Sequence, residues 1–272
     1  MKFLWQPITF LCLTIFLCAN LMMAAPATAS SLLFSPTRIT LKNGDQATVL
    51  KVKNISDEEL HYRVKLKDYV MSEDGVTAPI EHFLYSAKRH IRFAPTKLTL
   101  EPGERQIIRI MLKPRLELPH GSYHSHMFFE EVMPTGPDGA EYSASDDVQY
   151  VAALPVTIHF GEVESTVQIT TAKHIQHPHK HQLDIELSRS GNGQGYAVIE
   201  NTYIDENGNE TALSADIKRR IYREINTLRT SFQFVPSENI VLSKDGHIRL
   251  RLYGQDWGKD RLILQEYLIP LD

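Results

Sequence analysis

The stretch Phe93-Ala94-Pro95-Thr96-Lys97-Leu98-Thr99-Leu100-Glu101-Pro102-Gly103-Glu104-Arg105-Gln106-Ile107-Ile108-Arg109-Ile110 carries two runs of alternating apolar residues around a turn. Leu98 and Leu100 stand two apart, as do Ile108 and Ile110, and Leu112 extends the second run. Pro102-Gly103 between them is a turn signal. A period of two buries one face of a strand and wets the other.

The same period recurs outward in both directions. Ile39-Leu41, Leu50-Val52, Tyr62-Val64-Leu66 and Leu154-Val156-Ile158-Phe160 share it, as do Val167-Ile169, Leu183-Ile185-Leu187 and Ile248-Leu250-Leu252. Turn signals part the runs at Asn43-Gly44-Asp45, Asp74-Gly75, Pro137-Asp138-Gly139, Gly191-Asn192-Gly193, Asn207-Gly208 and Asp245-Gly246. Many short strands with regular turns predict an all-β chain of sandwiches. Two halves meet near Phe160-Gly161-Glu162. Each, at about 110–130 residues, has the size of an immunoglobulin-like sandwich. One segment disagrees: Leu213, Ile217, Ile221 and Ile225 recur every four residues across Ala212–Leu228, which by periodicity alone predicts a helix.

Lys2 is the only charged side chain before Arg38, and an apolar run reaches Met23. Ala27-Thr28-Ala29 then supplies a small-residue cleavage site. This is the pattern of a secretory signal peptide, residues 1–29, rather than of a retained anchor, although the run is nearly long enough to span a membrane. Bulky Leu17 before Cys18 excludes lipoprotein processing. Removing 29 residues from 272 leaves 243, with no second apolar run of spanning length. Both cysteines, Cys12 and Cys18, leave with the leader, so the exported chain has no disulfide and no thiolate metal ligand and relies on its cores alone. The composition, 42% hydrophobic and 23% charged, is that of a folded chain. A net charge of -4 is too balanced for a nucleic-acid binder.

Several local strings, taken in order, resemble the periplasmic pilus and fimbrial chaperones. They are Ser35-Pro36-Thr37-Arg38, then Val52-Lys53-Asn54, then the Phe93–Ile110 string with its proline, L-x-P-G and Gln-x-x-Arg elements. His124–Val132, a polar loop and Val148–Phe160 resemble that family's last two strands of the first domain. Ser188–Asn192 and Arg220-Ile221-Tyr222-Arg223-Glu224 are weaker matches. The resemblance covers most of the exported chain and points to a divergent member, closer to chaperones of archaic or spore-coat-type pilins.

What the resemblance implies is specific. The fold would be two immunoglobulin-like β-sandwich domains in an L-shaped arrangement, 30–161 and 162–272, with a cleft between them. In that family the region of Ala212–Leu228 is a strand, so the resemblance favours strand there. The activity would be donor-strand complementation of pilus or fimbrial subunits in the periplasm, without ATP, cofactor or metal, and with an outer-membrane usher as further partner. The donor strand would run from Asp147 to Ile158 with Val148, Tyr150, Ala152, Leu154 and Val156 on one face, after a polar loop Thr135–Asp146. An ordinary core strand reads the same way, and the two readings partly coexist. Arg38 would hold the subunit's terminal carboxylate. The family's second cation is a lysine; Thr157 stands there, with His159 two residues on. Arg109 would make an internal ion pair.

Other constellations are weaker. His174, His177, His179 and His181 suggest a metal site, but Pro178 and Lys180 interrupt them and a solvated hairpin accounts for them better. His120, His124 and His126 are a second such scatter. No G-x-S-x-G, H-E-x-x-H or P-loop occurs, and Glu130-Glu131 and Asp146-Asp147 point to opposite strand faces, so no enzyme is expected. A structural appendage subunit would need a longer N-terminal donor extension than Ser30–Phe34. A carbohydrate-binding sandwich would need an aromatic platform, and Trp257 is the one tryptophan after the leader.

Overall fold

The structure, a computed structural model, describes residues 31–42, 44–45, 47–114, 117–132, 150–235, 241–254 and 262–271, with the backbone alone for 150 and 151. The leader with its cleavage site, the loop 135–146 and Val148 lie outside the described residues. From Leu32 onward the chain forms one compact unit. No described helix is long and apolar enough to cross a membrane.

The strands are β1 (Leu32–Ser35), β2 (Ile39–Lys42), β3 (Ala47–Asn54), β4 (Leu60–Lys67), β5 (Tyr69–Met71), β6 (Thr77–Pro79), β7 (Ile91–Ala94), β8 (Lys97–Leu100), β9 (Arg105–Leu112), β10 (Gly121–Glu131) and β11 (Tyr150–Phe160). They continue with β12 (Ser165–His177), β13 (Lys180–Gly191), β14 (Gly195–Ile204), β15 (Glu210–Ala212), β16 (Ile217–Ile221), β17 (Thr227–Phe234), β18 (His247–Tyr253) and β19 (Ile263–Pro270). The all-β, two-sandwich, immunoglobulin-like class read from the sequence is the class observed.

The first sandwich sets the sheet β1-β3-β9-β7 against β2-β11-β10-β4-β8. β8 and β9, the two runs of the Phe93–Ile110 string, go to opposite sheets, so Pro102-Gly103 turns the chain across the sandwich. Its core joins Leu50, Val52, Ile108 and Ile110 to Leu41, Tyr62, Leu100, Met127, Phe129, Val156 and Ile158. β4 shows the two-residue period cleanly, with Leu60, Tyr62, Val64 and Leu66 all buried. Asn54, fully buried at the end of β3, donates to the Leu100 and Glu58 carbonyls at 3.0 and 2.7 Å and accepts from the Ser56 amide and hydroxyl at 2.8 Å. That arrangement ties the β3–β4 turn to β8. Arg109 points outward from β9 and makes no ion pair among the described residues, so the internal pair expected for it is absent.

The second sandwich sets β12-β13-β17 against a sheet in which β14 carries β15 and β16 on one side and β18-β19 on the other. Its core includes Leu183, Leu187, Ile199, Ile248, Leu250 and Leu252. Here the structure forms a strand, as the resemblance favoured and against the helix that periodicity alone predicts. Ile217 and Ile221 lie in the strand β16, Leu213 and Ile225 flank it, and all four are buried in this core. A spacing of four is also twice the strand period, so it places residues on one strand face as readily as on one helix face.

Arg189 of β13, 6% exposed, organises one end of this sandwich. It donates to the carbonyls of Gly191, Gly193, Arg223 and Ile225 and to Asn226 Oδ1, at 2.7–3.1 Å. A buried guanidinium is tolerated only when its donors are answered. Replacing it by Met keeps the bulk but leaves five buried acceptors open. We expect Arg189→Met to lower the urea-unfolding free energy by about 2–4 kcal/mol. An unchanged midpoint would show that water replaces these bonds without loss.

Candidate functional site

The burial of β10 departs from alternation. Nine of its first ten residues, Gly121 to Glu130, are buried, Ser122 and His124 of the outer face among them. That face of the β2-β11-β10 sheet is therefore covered, and the cover comes from the second sandwich. The segment Arg220–Glu224, at the end of β16, lies over it. Tyr222 stacks on His124 with ring centroids 3.9 Å apart and planes 8° from parallel. His124 Nε2 lies 3.0 and 3.2 Å from the two Glu224 carboxylate oxygens, and the Met71 amide donates to the same carboxylate at 3.0 Å. The Tyr222 hydroxyl and His126 Nε2 are 3.4 Å apart. Asp68, buried beneath, accepts from the hydroxyls of Ser86 and Ser125.

Close approach at this seam needs Gly121. Its φ of +141° is a conformation L side chains avoid, and a Cβ there would meet the Arg223 guanidinium and, at 2.5 Å, the Asn192 carbonyl. Arg223 lies 4.5 Å over the Tyr85 ring and donates to the His120 carbonyl at 3.3 Å. Next to it the Ser122 amide donates to the Asn192 carbonyl at 3.1 Å, the Gln194 amide to Ser122 Oγ at 3.2 Å, and Ser122 Oγ meets His159 Nδ1 at 3.1 Å.

The three residues expected at an anion site share this face. Arg38 is exposed and sits immediately before β2, which pairs parallel to β11 with Ile39 opposite Val156 and Thr40 opposite Thr157. Thr157 is the cross-strand neighbour of His124, and at 1% exposure its hydroxyl is not open to a ligand. His159 is pushed below the ordinary histidine range by burial first and then by the positive charges of Lys42 and Arg220, so it adds no charge near neutral pH. Arg220, which the sequence marked only as part of a weaker motif match, lies opposite Tyr196 in the β14–β16 ladder, its guanidinium 5.8 Å from that ring. Arg220, Tyr196 and Tyr222 each feel the charge of Arg38, and both tyrosines feel that of Arg220. The available signal was the outward set Lys218, Arg220 and Tyr222 alternating against Ile217 and Ile221.

The expected donor strand divides. Leu154 and Val156, 4% and 0% exposed, are buried in the first core, and Ala152 packs partly against it. Tyr150 begins β11, and Val148 lies outside the described residues. On one side β11 pairs with β10 along its whole length; on the other β2 covers only Val156–His159. Among the described residues no strand pairs with β11 beside Tyr150–Pro155 on that side.

The histidines proposed for metal do not assemble as the sequence suggested. His174 Nε2 and His181 Nδ1 meet at 2.8 Å with rings stacked at 5.1 Å across the β12–β13 hairpin. No group of three or more His, Cys, Asp or Glu among the described residues is arranged to hold an ion.

No protein-family model matches the chain. No curated protein matches it. Solved structures similar to it include the CsuC–CsuE chaperone–tip subunit pre-assembly complex from archaic chaperone-usher Csu pili of Acinetobacter baumannii. The match is 12% identical over 88% of this chain and 97% of that one, with a TM-score of 0.45. The class 5 fimbriae chaperone CfaA is 15% identical over 87% and 97%, at a TM-score of 0.41. The CupB2 chaperone of Pseudomonas aeruginosa is 11% identical over 87% and 98%, also at 0.41.

The seam predicts a pH dependence. Burial, with His124 beside it, lowers His126 to about 4, against the opposing pull of Glu224 and Asp68. The folded chain holds it neutral while the unfolded chain protonates near 6.5. Stability from this group is thus complete above about pH 6.5 and is lost as pH falls toward 4. We expect the urea midpoint to fall between pH 7.5 and 4.5, and His126→Gln to flatten part of that slope. His159, lowered in the same sense, leaves a remainder. An identical slope in the variant would mean His126 is not held neutral.

Proposed function

We propose that the chain is a periplasmic chaperone for pilus or fimbrial subunits, holding them by donor-strand complementation without ATP. The observation that carries this reading is the half-open ladder of β11. The stretch Tyr150–Pro155 runs beside β10 on one side, with a break in register at Val151, and beside no described strand on the other. An open edge of this kind accepts a guest strand through backbone bonds, which tolerate variation in the guest's sequence. The order of motifs along the chain and the leader before Ser30 support the same reading.

The polarity of the sheet adds to it. A guest strand beside Tyr150–Pro155 lies in line with β2 and ends against it, where Arg38 stands. Because β2 runs parallel to β11, a guest parallel to β11 brings its carboxyl end to Arg38, while an antiparallel one brings its amino end. A guanidinium binds a carboxylate through two parallel N–H bonds and repels an ammonium, so Arg38 selects the parallel guest. Residues 30–161 act as the donor module, 162–272 complete the cleft, and an outer-membrane usher receives the loaded complex.

The test is export of the tagged chain together with secreted β-rich subunits that lack a final strand. Leu154→Asp is a poor probe, since it places a carboxylate in the chain's own core. Hydrogen exchange reports directly instead. We expect a stoichiometric complex in which amides within 150–154 gain protection, and at least a tenfold loss of complex in Arg38→Ala, as a charged hydrogen bond of about 1.5–3 kcal/mol implies. Failure to bind any such subunit, or binding that leaves those amides exchanging as before, sinks the reading.

A further inference from the structure

The outward face of the sheet β1-β3-β9-β7 takes no part in the seam or in the β11 edge, and its chemistry is one-sided. No residue of these four strands is acidic, in a chain with 33 acidic residues among 272. Five are cationic: Lys51 and Lys53 of β3, Arg92 of β7, and Arg105 and Arg109 of β9. They alternate with buried Leu50, Val52, Ile91, Ile108 and Ile110, so all five stand on the outer face. Lys53 lies directly opposite Arg105, and Lys51 has Arg105 and Arg109 on its diagonals. Like charges directly opposite one another destabilise a sheet, and no ion pair among the described residues offsets these. Basic residues often blunt edge strands, but β3 and β9 are the two central strands of this sheet, where no edge needs blunting. Three exposed aliphatic side chains are set among the charges. Leu33 and Ile107 are each 56% exposed, and Val49 is 40% exposed. Each stands directly across the ladder from a cation: Leu33 from Lys53, Val49 from Arg109, and Ile107 from Lys51.

We propose that this face docks on the surface of an anionic lipid bilayer, the five cations meeting lipid phosphates while Leu33, Val49 and Ile107 enter between the headgroups. A bilayer interface presents negative charge at one depth and hydrocarbon just beneath it. A face that sets alkyl groups opposite cations matches both. The stems of lysine and arginine bend so that the charge stays at phosphate level as the aliphatic side chains go deeper. The four strands span on the order of 15 Å, and the outward residues along β3 about 20 Å. Charges spread over that area lie within about two Debye lengths of one another at about 0.1 M salt, so they act together. An acidic protein would answer the charges but leave the three alkyl groups facing carboxylates; the bilayer accounts for both. The chain as a whole is acidic, at -4, so its attraction to such a surface depends on this face being the one presented. Docking here leaves the β11 edge free, because β11 belongs to the facing sheet. The inference stands independently of the chaperone reading.

The experiment takes the chain without its leader and two kinds of vesicle, phosphatidylcholine alone and equal parts phosphatidylcholine and phosphatidylglycerol. Bound protein is measured by co-sedimentation. We expect binding to the anionic vesicles only, weakened as salt rises from about 0.1 to about 1 M and the Debye length shrinks from about 10 to about 3 Å. Lys51→Gln with Arg109→Gln should weaken it about 25-fold, as about 1 kcal/mol for each cation at an anionic surface implies. The melting temperature should not fall. Lys173→Gln with Lys244→Gln, the same loss of charge on the second sandwich, should change binding less than about twofold, because those exposed side chains lie off the docking face. Depth is read separately. Ile107→Trp should lose fluorescence on vesicles with brominated acyl chains, and Leu268→Trp, on exposed β19, should not. Soluble polyglutamate stands in for an acidic protein: Ile107→Ser should weaken the vesicle complex several-fold and leave the polyglutamate complex unchanged. The proposal is overturned by failure to bind the anionic vesicles, by equal binding to the neutral ones, by an equal loss in the Lys173/Lys244 variant, or by no quenching in Ile107→Trp. Undiminished vesicle binding by Ile107→Ser overturns it as well, and with tight polyglutamate binding would make the face one for an acidic protein.

Discussion

The carboxylate of Glu224 is 8% exposed, and a buried carboxylate must be answered or neutralised. His124 and the Met71 amide answer it, both from the first sandwich. This contact fixes the end of β16 over β10, and the rest of the seam follows from it. With Glu224 seated, Tyr222 lies flat on His124, Arg223 reaches Tyr85 and the His120 carbonyl, and the outward side of β16 brings Arg220 to the face that carries His159. Gly121 is the corresponding backbone condition, because any Cβ there collides with the segments that close the seam. The same contact explains why β10 is buried on both faces although its sequence mixes serine and histidine with Met127, Phe128 and Phe129.

β11 meets two demands along one strand. Its C-terminal half is a core strand, paired on both sides, with Val156 and Ile158 fully buried. Its N-terminal half keeps β10 but has no described neighbour on the other edge. An exposed edge invites pairing with other chains, and sheets usually blunt theirs. Here the edge is continuous with a packed core, so a guest strand would add to an already ordered template and lose less entropy than if both partners had to fold.

The class of fold was legible because it depends on local alternation. β4, β9 and β13 show in their burial the period visible in Tyr62-Val64-Leu66, Ile108-Ile110 and Leu183-Ile185-Leu187. Ile217 and Ile221 misled because a spacing of four satisfies helix and strand alike, and only pairing with β14 settles it. The surroundings of Arg38 were half legible. Arg38 stands out in its local string. The approach of Arg220 does not, since it depends on which strand from the other half of the chain arrives over this face, and that is set by Glu224 and His124, a hundred residues apart. Thr157 was expected at the site because it stands where the resemblance puts a lysine; the seam that covers it is invisible in one dimension. Arg109 looked paired only through the motif around it, and among the described residues it makes no ion pair with an acid.

Charge distribution joins these observations. The chain as a whole is acidic, at -4, yet among the described residues neither Arg38 nor Arg220 makes an ion pair, although both act on Tyr196 and Tyr222. Pairing either with an acid would stabilise the free chain, and the fold does so readily elsewhere, as Arg249 with Glu210 demonstrates. Burial of Arg220 with Arg38 acting on it costs stability in the free chain, since like charges repel more strongly where water is partly excluded. The Glu224–His124 contact that closes the seam is therefore also part of what takes Arg220 out of water.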